Sequence, residues 1–307
     1  MQIQTMSIVV GDNKCNAICP FCISRQTGLL ESTDSFNYAH EYDIKHNLEK
    51  ACKLADIGGT TTVLLTGKGE PTLHPDEIKS ILSLLRPWKF PFIELQTNGI
   101  ELYKNICETD TSKPNRDTLE LWKSMGLTTI IISVVSYSNS ENQKVMHGKE
   151  LMDIRLLCRY LKDLGFLVRL NCTMLNGYID SVPQIKKFIA VVKDLGVHQI
   201  TFRPVKLIES SANPSVAKNT EAYLLDDVTL FQIENYFDSL EDRKIMSLMH
   251  DANVYDIDGV SVCYATCLTH SKKDMRQIIF YNRTGKLTYD WEFDGAILLP
   301  EVVKNKN

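Results

Sequence analysis

Cys15, Cys19 and Cys22 stand in the spacing Cys-x3-Cys-x2-Cys, within the short run Cys15-Asn16-Ala17-Ile18-Cys19-Pro20-Phe21-Cys22. Three thiolates on one loop suit an iron–sulfur cluster, whose irons are held by cysteine sulfur. Three ligands on a four-iron cube leave one iron open to another group. Zinc is the competing reading, but a closed structural zinc site takes four ligands. The next Cys or His along the chain, His40, lies beyond ordinary finger spacing. Three unrelated buried thiols are the plain alternative.

Such a loop must be held by rigid elements, and the first two hundred residues alternate short β-rich runs with longer helix-like segments. The pattern predicts strands over 5–10, 61–66, 91–97, 128–135, 167–174 and 198–204. Each is rich in Val, Ile, Leu, Thr or Phe, as strands buried on both faces are. Helices are predicted over 39–56, 75–86, 116–125, 150–164 and 182–195, with Gly58-Gly59, Gly126, Gly165 and Gly196 as stop signals. Strand and helix alternating without tight hairpins imply right-handed βαβ crossovers and a parallel sheet, hence an α/β fold. Six such units make an open barrel, or part of an eight-unit one. Ligands of parallel α/β folds gather at the C-terminal strand ends, and the triplet begins five residues past the first strand.

After residue 205 the rhythm changes. Residues 209–220 read as loop, 221–249 as helical, and 277–291 as a hairpin around Asn282-Arg283-Thr284-Gly285. The expected organisation is a core barrel over 1–205. A C-terminal α+β extension over 206–307, helix plus hairpin, caps one end of it.

Period-two alternation groups Arg169, Asn171 and Thr173 against Leu170, Cys172 and Met174, and the polar set should face the lumen. There, bound cofactor or substrate supplies the partners that buried polar groups need. Arg203, at the end of the sixth strand, is built to grip a substrate carboxylate or phosphate, or equally to salt-bridge a helix.

The 307 residues are 44% hydrophobic and 23% charged, an ordinary globular composition. A formal charge of −4 gives no electrostatic reason to expect nucleic acid or an anionic membrane as partner. No stretch approaches the roughly 18 apolar residues of a membrane span. The start Met1–Met6 lacks the basic and apolar runs of a secretory signal, so a cytoplasmic location is expected. In that compartment the nine cysteines read as thiols or metal ligands rather than disulfides.

With an aromatic residue just before its third cysteine and a strand just before its first, the triplet resembles the signature of the radical S-adenosylmethionine (SAM) enzymes. That resemblance covers roughly residues 5–205 and implies a partial (βα)6 radical SAM barrel. It also implies a 4Fe–4S cluster on Cys15, Cys19 and Cys22, and SAM chelated through its amino and carboxylate groups to the open iron. Reductive cleavage of SAM then yields a 5′-deoxyadenosyl radical that abstracts hydrogen from substrate. A reductant such as flavodoxin or ferredoxin is the implied partner. Thr66-Gly67-Lys68-Gly69-Glu70-Pro71 is similar to the family's Gly-Gly-Glu-Pro loop, which holds the SAM amino group, so Gly69, Glu70 and Pro71 carry over. Lys68 departs from the pattern, standing where the family has its first glycine. A plain strand-to-helix turn is the alternative reading of this run. Gln96-Thr97-Asn98-Gly99 looks like the family's Thr-Asn-Gly strand ending, placing Asn98 near the cofactor; Asn-Gly is also simply a good turn. A serine ending the fourth strand is implied to contact SAM, and alternation favours Ser133 over Ser136. Arg169 and Asn171 are further candidate cofactor contacts.

Cys52, Cys107 and Cys158 read as structural thiols. Cys263 and Cys267 repeat a Cys-x3-Cys spacing where some enzymes of the GTP 3′,8-cyclase-like group carry an auxiliary iron–sulfur cluster on three cysteines. No cysteine follows Cys267, and Cys172 could complete the set only by leaving its packed face. Hydrogen-atom donation to a substrate radical, or a structural role, are the other readings of the pair. The expected function is hydrogen abstraction from a small anionic metabolite or nucleotide. A leader-recognition domain before the first strand and a full multi-cysteine C-terminal domain are both missing from this sequence, which turns the expectation away from peptides. A peptide-modifying epimerase or crosslinker is the runner-up, and a non-catalytic iron–sulfur sensor the rival from another class.

Overall fold

The computed structural model describes residues 2–28, 30, 41–107, 115–208, 210–248, 252–266, 277–291 and 295–302. The six predicted core strands form as β1 (Thr5–Val9), β2 (Thr62–Thr66), β3 (Phe92–Thr97), β4 (Thr129–Val134), β5 (Leu167–Met174) and β6 (Gln199–Pro204). They pair in chain order, all parallel. Between them run α1 (Ile23–Gln26), α2 (Glu41–Ile57), α3 (Pro75–Leu85), α4 (Ile100–Cys107), α5 (Arg116–Ser124), α6 (Asn139–Asn142), α7 (Ile154–Asp163) and α8 (Val182–Leu195). A five-residue π-helix, Gln143–His147, follows α6.

Alternation decides which face of each strand goes where. On β5, Val168, Leu170, Cys172 and Met174 are fully buried under the helices, while Arg169, Asn171 and Thr173 take the other face. On β1, Met6 and Ile8 join the same core, and on β2 so do Val63 and Leu65. The helices meet them with matching stripes. In α7, Ile154, Leu157, Cys158 and Leu161 are buried at the i, i+3, i+4, i+7 spacing of one helical face. Asp153 caps that helix, its Oδ1 accepting from Arg155 N at 2.8 Å and Leu156 N at 3.2 Å. Replacing Asp153 by alanine should cost about 1 kcal/mol in anaerobic urea unfolding while leaving cluster content unchanged. Gly196 closes α8 at φ +60°, a conformation that strains a residue bearing a Cβ.

The segment read as one helix over 221–249 is broken. After α9 (Pro214–Glu221), Asp226 starts a new helix, α10 (Asp227–Asp238), by accepting from Thr229 N at 2.7 Å. Beyond it the chain turns extended as β7 (Lys244–Ser247), β8 (Ala252–Ile257) and β9 (Val260–Ala265). The predicted hairpin forms as β10 (Gln277–Tyr281) and β11 (Lys286–Thr288), followed by β12 (Ile297–Leu299). In place of a single cap at one end, these strands extend both edges of one sheet, ordered β12-β11-β10-β1-β2-β3-β4-β5-β6-β9-β8-β7. β10 runs parallel to β1 and β9 parallel to β6, so the sheet continues across residue 205. The physical reason is that β1 and β6 would otherwise be open edges with unmet backbone groups. Among the described residues no helix is long and apolar enough to cross a membrane.

Candidate active site

The cysteine loop leaves β1 at Val10 and is fastened at every few residues. Asp12 Oδ1 accepts from Lys14 N at 2.8 Å, and the same carboxylate lies 3.3 Å from His74 Nε2 and 3.7 Å from Arg283 Nη1. Burial works to raise the Asp12 pKa, but the Lys14 N–H, His74 and Arg283 outweigh it and hold the carboxyl below its ordinary value. Further along, Ile18 N donates to Met146 O of the π-helix at 2.7 Å. Phe21 packs with Val135, Val145, Met146, Leu175 and Val205 in a second apolar cluster beneath the loop. Cys22 then opens α1, whose Gln26 is fully buried. Gln26 Nε2 donates to Thr220 Oγ1 at 3.2 Å, and its Oε1 accepts from Ile208 N at 3.0 Å.

Cys15 is exposed, and Cys19 and Cys22 are half-buried. Burial pushes the Cys19 thiol up to about 12, with like-charge repulsion from Cys22 and Cys15 adding to it. Although the Cys15 residue as a whole is exposed, desolvation around its sulfur raises its thiol too, and Glu70 and Cys22 add to it. With the Cys15 and Cys19 thiols held above their ordinary pKa, a metal that replaces their protons is what makes them thiolates, which iron does. Among the described residues no three His, Cys, Asp or Glu side chains are placed to hold a single metal ion. The donor chemistry and the loop fit the cluster.

The Gly-Glu-Pro run and the end of β3 close on the cysteine loop from behind. Glu70 N donates to Lys14 O at 2.8 Å, and a Cβ on Gly69 would stand 2.0 Å from that same carbonyl. The close approach that Gly69 permits is thus to the cysteine loop itself. Glu70 is 3% exposed and accepts four bonds: from Thr72 N at 3.0 Å, Thr72 Oγ1 at 2.7 Å, Thr97 Oγ1 at 2.6 Å and Asn98 N at 2.8 Å. Burial raises its pKa against the pull of those donors. Its carboxylate is a strut between the ends of β2 and β3. Pro71 begins the short 3-10 turn that this strut caps. Asn98 Nδ2 donates to Asn16 Oδ1 at 2.7 Å and lies 3.8 Å from Cys15 Sγ. Asn98 thus reaches the cluster loop directly.

Inside the curved sheet lies a cavity of about 750 Å³, lined on β5 by Arg169 and Asn171, on β6 by Arg203 and on β9 by Cys263. The residues just after Cys22, Ile23, Ser24 and Thr27, wall it beside Gly67 and Lys68, so the cluster loop borders its C-terminal end. Arg169 is inward as expected but already engaged, ion-paired with Glu94 and donating to Gln199 Oε1 at 3.1 Å. Ser133 shares the lumen face of β4 and pairs in register with Asn171. Ser136 is buried and bonded to the Glu141 carboxylate. Cys172 stays fully buried in the helix-side core, so it joins no auxiliary set with Cys263; Cys267 lies outside the described residues. Cys52 and Cys158 are core thiols, and the Cys107 side chain also lies outside the description.

Asp12, Asn16, Gln26, Glu77 and Arg283 had no signal in the motif spacing. Arg283 binds Glu77 at 3.2 Å, and Gly11 N donates to Glu77 Oε1 at 3.0 Å, so the turn after β10 buttresses the start of the loop. The polar run Gly11-Asp12-Asn13 before Cys15 was the one sequence hint of such bracing.

An open parallel βα barrel with a three-thiolate loop at the C-terminal end of its first strand defines a cluster-dependent enzyme architecture. The family model of the radical SAM superfamily matches residues 10–201, and this chain belongs to that superfamily. Its cofactors are a 4Fe–4S cluster and SAM. The chain is similar to the 7,8-dihydro-6-hydroxymethylpterin dimethyltransferase of Methanocaldococcus jannaschii, 32% identical over 63% of this chain and 35% of that protein. It is also similar to the GTP 3′,8-cyclase of Actinobacillus pleuropneumoniae, 30% identical over 53% of this chain and 43% of the cyclase. The chain thus spans less than half the length of these two relatives. Among solved structures, SuiB of Streptococcus suis bound to SAM shares the fold at a TM-score of 0.60 and 14% identity. That match covers 98% of this chain and 63% of SuiB. Radical SAM proteins are enzymes, which sets the sensor reading aside.

Proposed function

We propose that this radical SAM enzyme abstracts hydrogen from a small anionic metabolite or nucleotide held in the barrel cavity. The observation that carries the reading is the charge of the cavity wall. Lys68, Arg169 and Arg203 line it, and Glu94 is the one carboxylate among its described lining residues. Its volume of about 750 Å³ is that of a small-molecule site. Two relatives are named for GTP and for a dihydrohydroxymethylpterin, both small heterocyclic compounds, which supports the same substrate class.

When bound, the cluster and SAM supply the one-electron cleavage that generates the abstracting radical. The chain's own residues position and contain that chemistry. Cys15, Cys19 and Cys22 hold the cluster; Gly69, Glu70, Pro71 and Asn98 brace its loop and shape the SAM site from behind. Ser133 and Asn171 face SAM from β4 and β5, Arg203 meets the substrate anion, and Cys263 on the cavity wall is placed to return a hydrogen atom. Flavodoxin or ferredoxin serves as reductant, in a reducing cytoplasm that keeps the thiols free for iron.

A peptide substrate is the second reading, favoured by one feature. The edge strand β7 presents Ile245 and Met246, each about half exposed, along the cavity rim, where an extended peptide could add a strand. An anaerobic screen for stimulated 5′-deoxyadenosine release separates the two. At least tenfold stimulation by nucleotides or small phosphorylated metabolites is expected; stimulation by peptides alone would overturn the small-anion reading.

A further inference from the structure

Lys68 is the position at which the SAM-loop motif departs from its family pattern, and its surroundings are unusual for a lysine. The side chain is only 7% exposed yet lies on the cavity wall. Its Nζ donates to Thr27 Oγ1 at 2.8 Å and sits 5.7 Å from the centroid of the Trp291 ring. Thr27 Oγ1 spends its own proton on Ile23 O at 3.1 Å, so its lone pairs are oriented to receive the ammonium. Of three N–H donors, one is taken by Thr27 and one can face the indole, leaving a third for the cavity.

Among the described residues no carboxylate pairs with Lys68, whereas the neighbouring cavity cation Arg169 has Glu94. Burying a cation that has no carboxylate partner is costly, and methionine would fill the same corner without that cost. The cost is recovered if an anion enters the cavity. A compact ammonium on a fixed stem suits a phosphate oxygen, as a point charge rather than a planar fork.

We propose that Lys68, oriented by Thr27 and Trp291, is a subsite for a phosphate group of the substrate. This rests on the small-anion reading above and narrows it to phosphorylated compounds. The SAM carboxylate is the other anion that enters this cavity, and the test separates the two.

Cluster-reconstituted protein is titrated anaerobically with inorganic pyrophosphate, and separately with SAM, following tryptophan emission and heat. Wild type should bind pyrophosphate, Lys68→Met should weaken it at least tenfold, and Lys68→Arg should retain most of the affinity. SAM affinity should stay within about twofold throughout. Independently of any variant, pyrophosphate should slow acetylation of Lys68 in the wild-type holoenzyme at least tenfold, read by mass spectrometry, and SAM should not. No pyrophosphate binding, no loss in Lys68→Met, or protection by SAM instead of pyrophosphate would overturn the subsite. If small anions stimulate deoxyadenosine release while Lys68→Met binds pyrophosphate normally, the subsite fails and the substrate reading stands. If only peptides stimulate it, both fail.

Discussion

Glu70→Ala should lose most of its cluster and about 3–5 kcal/mol of stability, the largest effect expected of any single change outside the cysteines. The carboxylate serves four donors, two of them the backbone N–H groups of Thr72 and Asn98. The Thr72 and Thr97 hydroxyls can rotate toward other acceptors, but the two N–H groups are fixed by their strand ends. Each buried donor left unmet costs about 1–3 kcal/mol, and a cavity adds to it. The damage also reaches the cluster, because the carboxylate holds Asn98, which bonds Asn16 and lies beside Cys15. Glu70→Gln should be milder: one oxygen remains an acceptor, while the new NH2 group meets donors where an acceptor is needed. Iron and sulfide content after anaerobic reconstitution, with urea unfolding alongside, measures both effects. A Glu70→Ala protein with full cluster and unchanged midpoint would contradict the strut.

The second large effect is acid lability centred on His147. This residue ends the π-helix whose Met146 carbonyl receives Ile18 of the cysteine loop. It is 1% exposed, and neither ring nitrogen meets a hydrogen-bond partner. Burial lowers its pKa to about 4, with Glu150 pulling weakly the other way. The unfolded chain takes up a proton near pH 6.5 that the folded chain refuses until about pH 4. Stability should therefore fall as pH drops through that window, by up to about 3 kcal/mol. His147→Phe should flatten this limb of the profile. Cluster acid sensitivity is common to both proteins, so the difference between their urea midpoints at pH 7.5 and pH 5 isolates the histidine. Identical pH slopes would place the proton uptake elsewhere.

The two proteins that the sequence describes well and poorly are the same chain at different contact distances. β5 was legible because one strand carries its own answer: Val168, Leu170, Cys172 and Met174 alternate with Arg169, Asn171 and Thr173, and a period of two has only one buried solution. The cysteine motif was legible for a similar reason, since its three cysteines lie within eight residues. Local signals were present even in the C-terminal portion. Asp258-Gly259, with φ of +55° and +84°, forms the tight turn joining β8 to β9, and Asp-Gly is a strong hairpin signal. What no local pattern states is which edge a hairpin will join, and here β9 pairs with β6 while β10 pairs with β1. The bracing of the site is non-local in the same way. Arg283 meets Asp12 and Glu77, and Gln26 meets Thr220 and Ile208, across roughly two hundred residues or more of chain. A glutamine or arginine in sequence ordinarily reads as a solvated surface residue, and only the folded topology shows Gln26 buried against backbone and Arg283 partly covered against carboxylates. The four donors around the Glu70 carboxylate were hidden for a related reason: a motif gives residue identity, and those donors come from two different strand ends.

The most direct measurement is anaerobic reconstitution with iron and sulfide, reduction with dithionite, addition of SAM and quantification of 5′-deoxyadenosine. Cys15→Ala, Cys19→Ala and Cys22→Ala are run beside the wild type. Deoxyadenosine from wild type and none from the three variants is the result expected of a radical SAM enzyme whose cluster sits on this loop. A cluster that cleaves no SAM, even with candidate substrates present, or zinc in place of iron on the three thiolates, would contradict it.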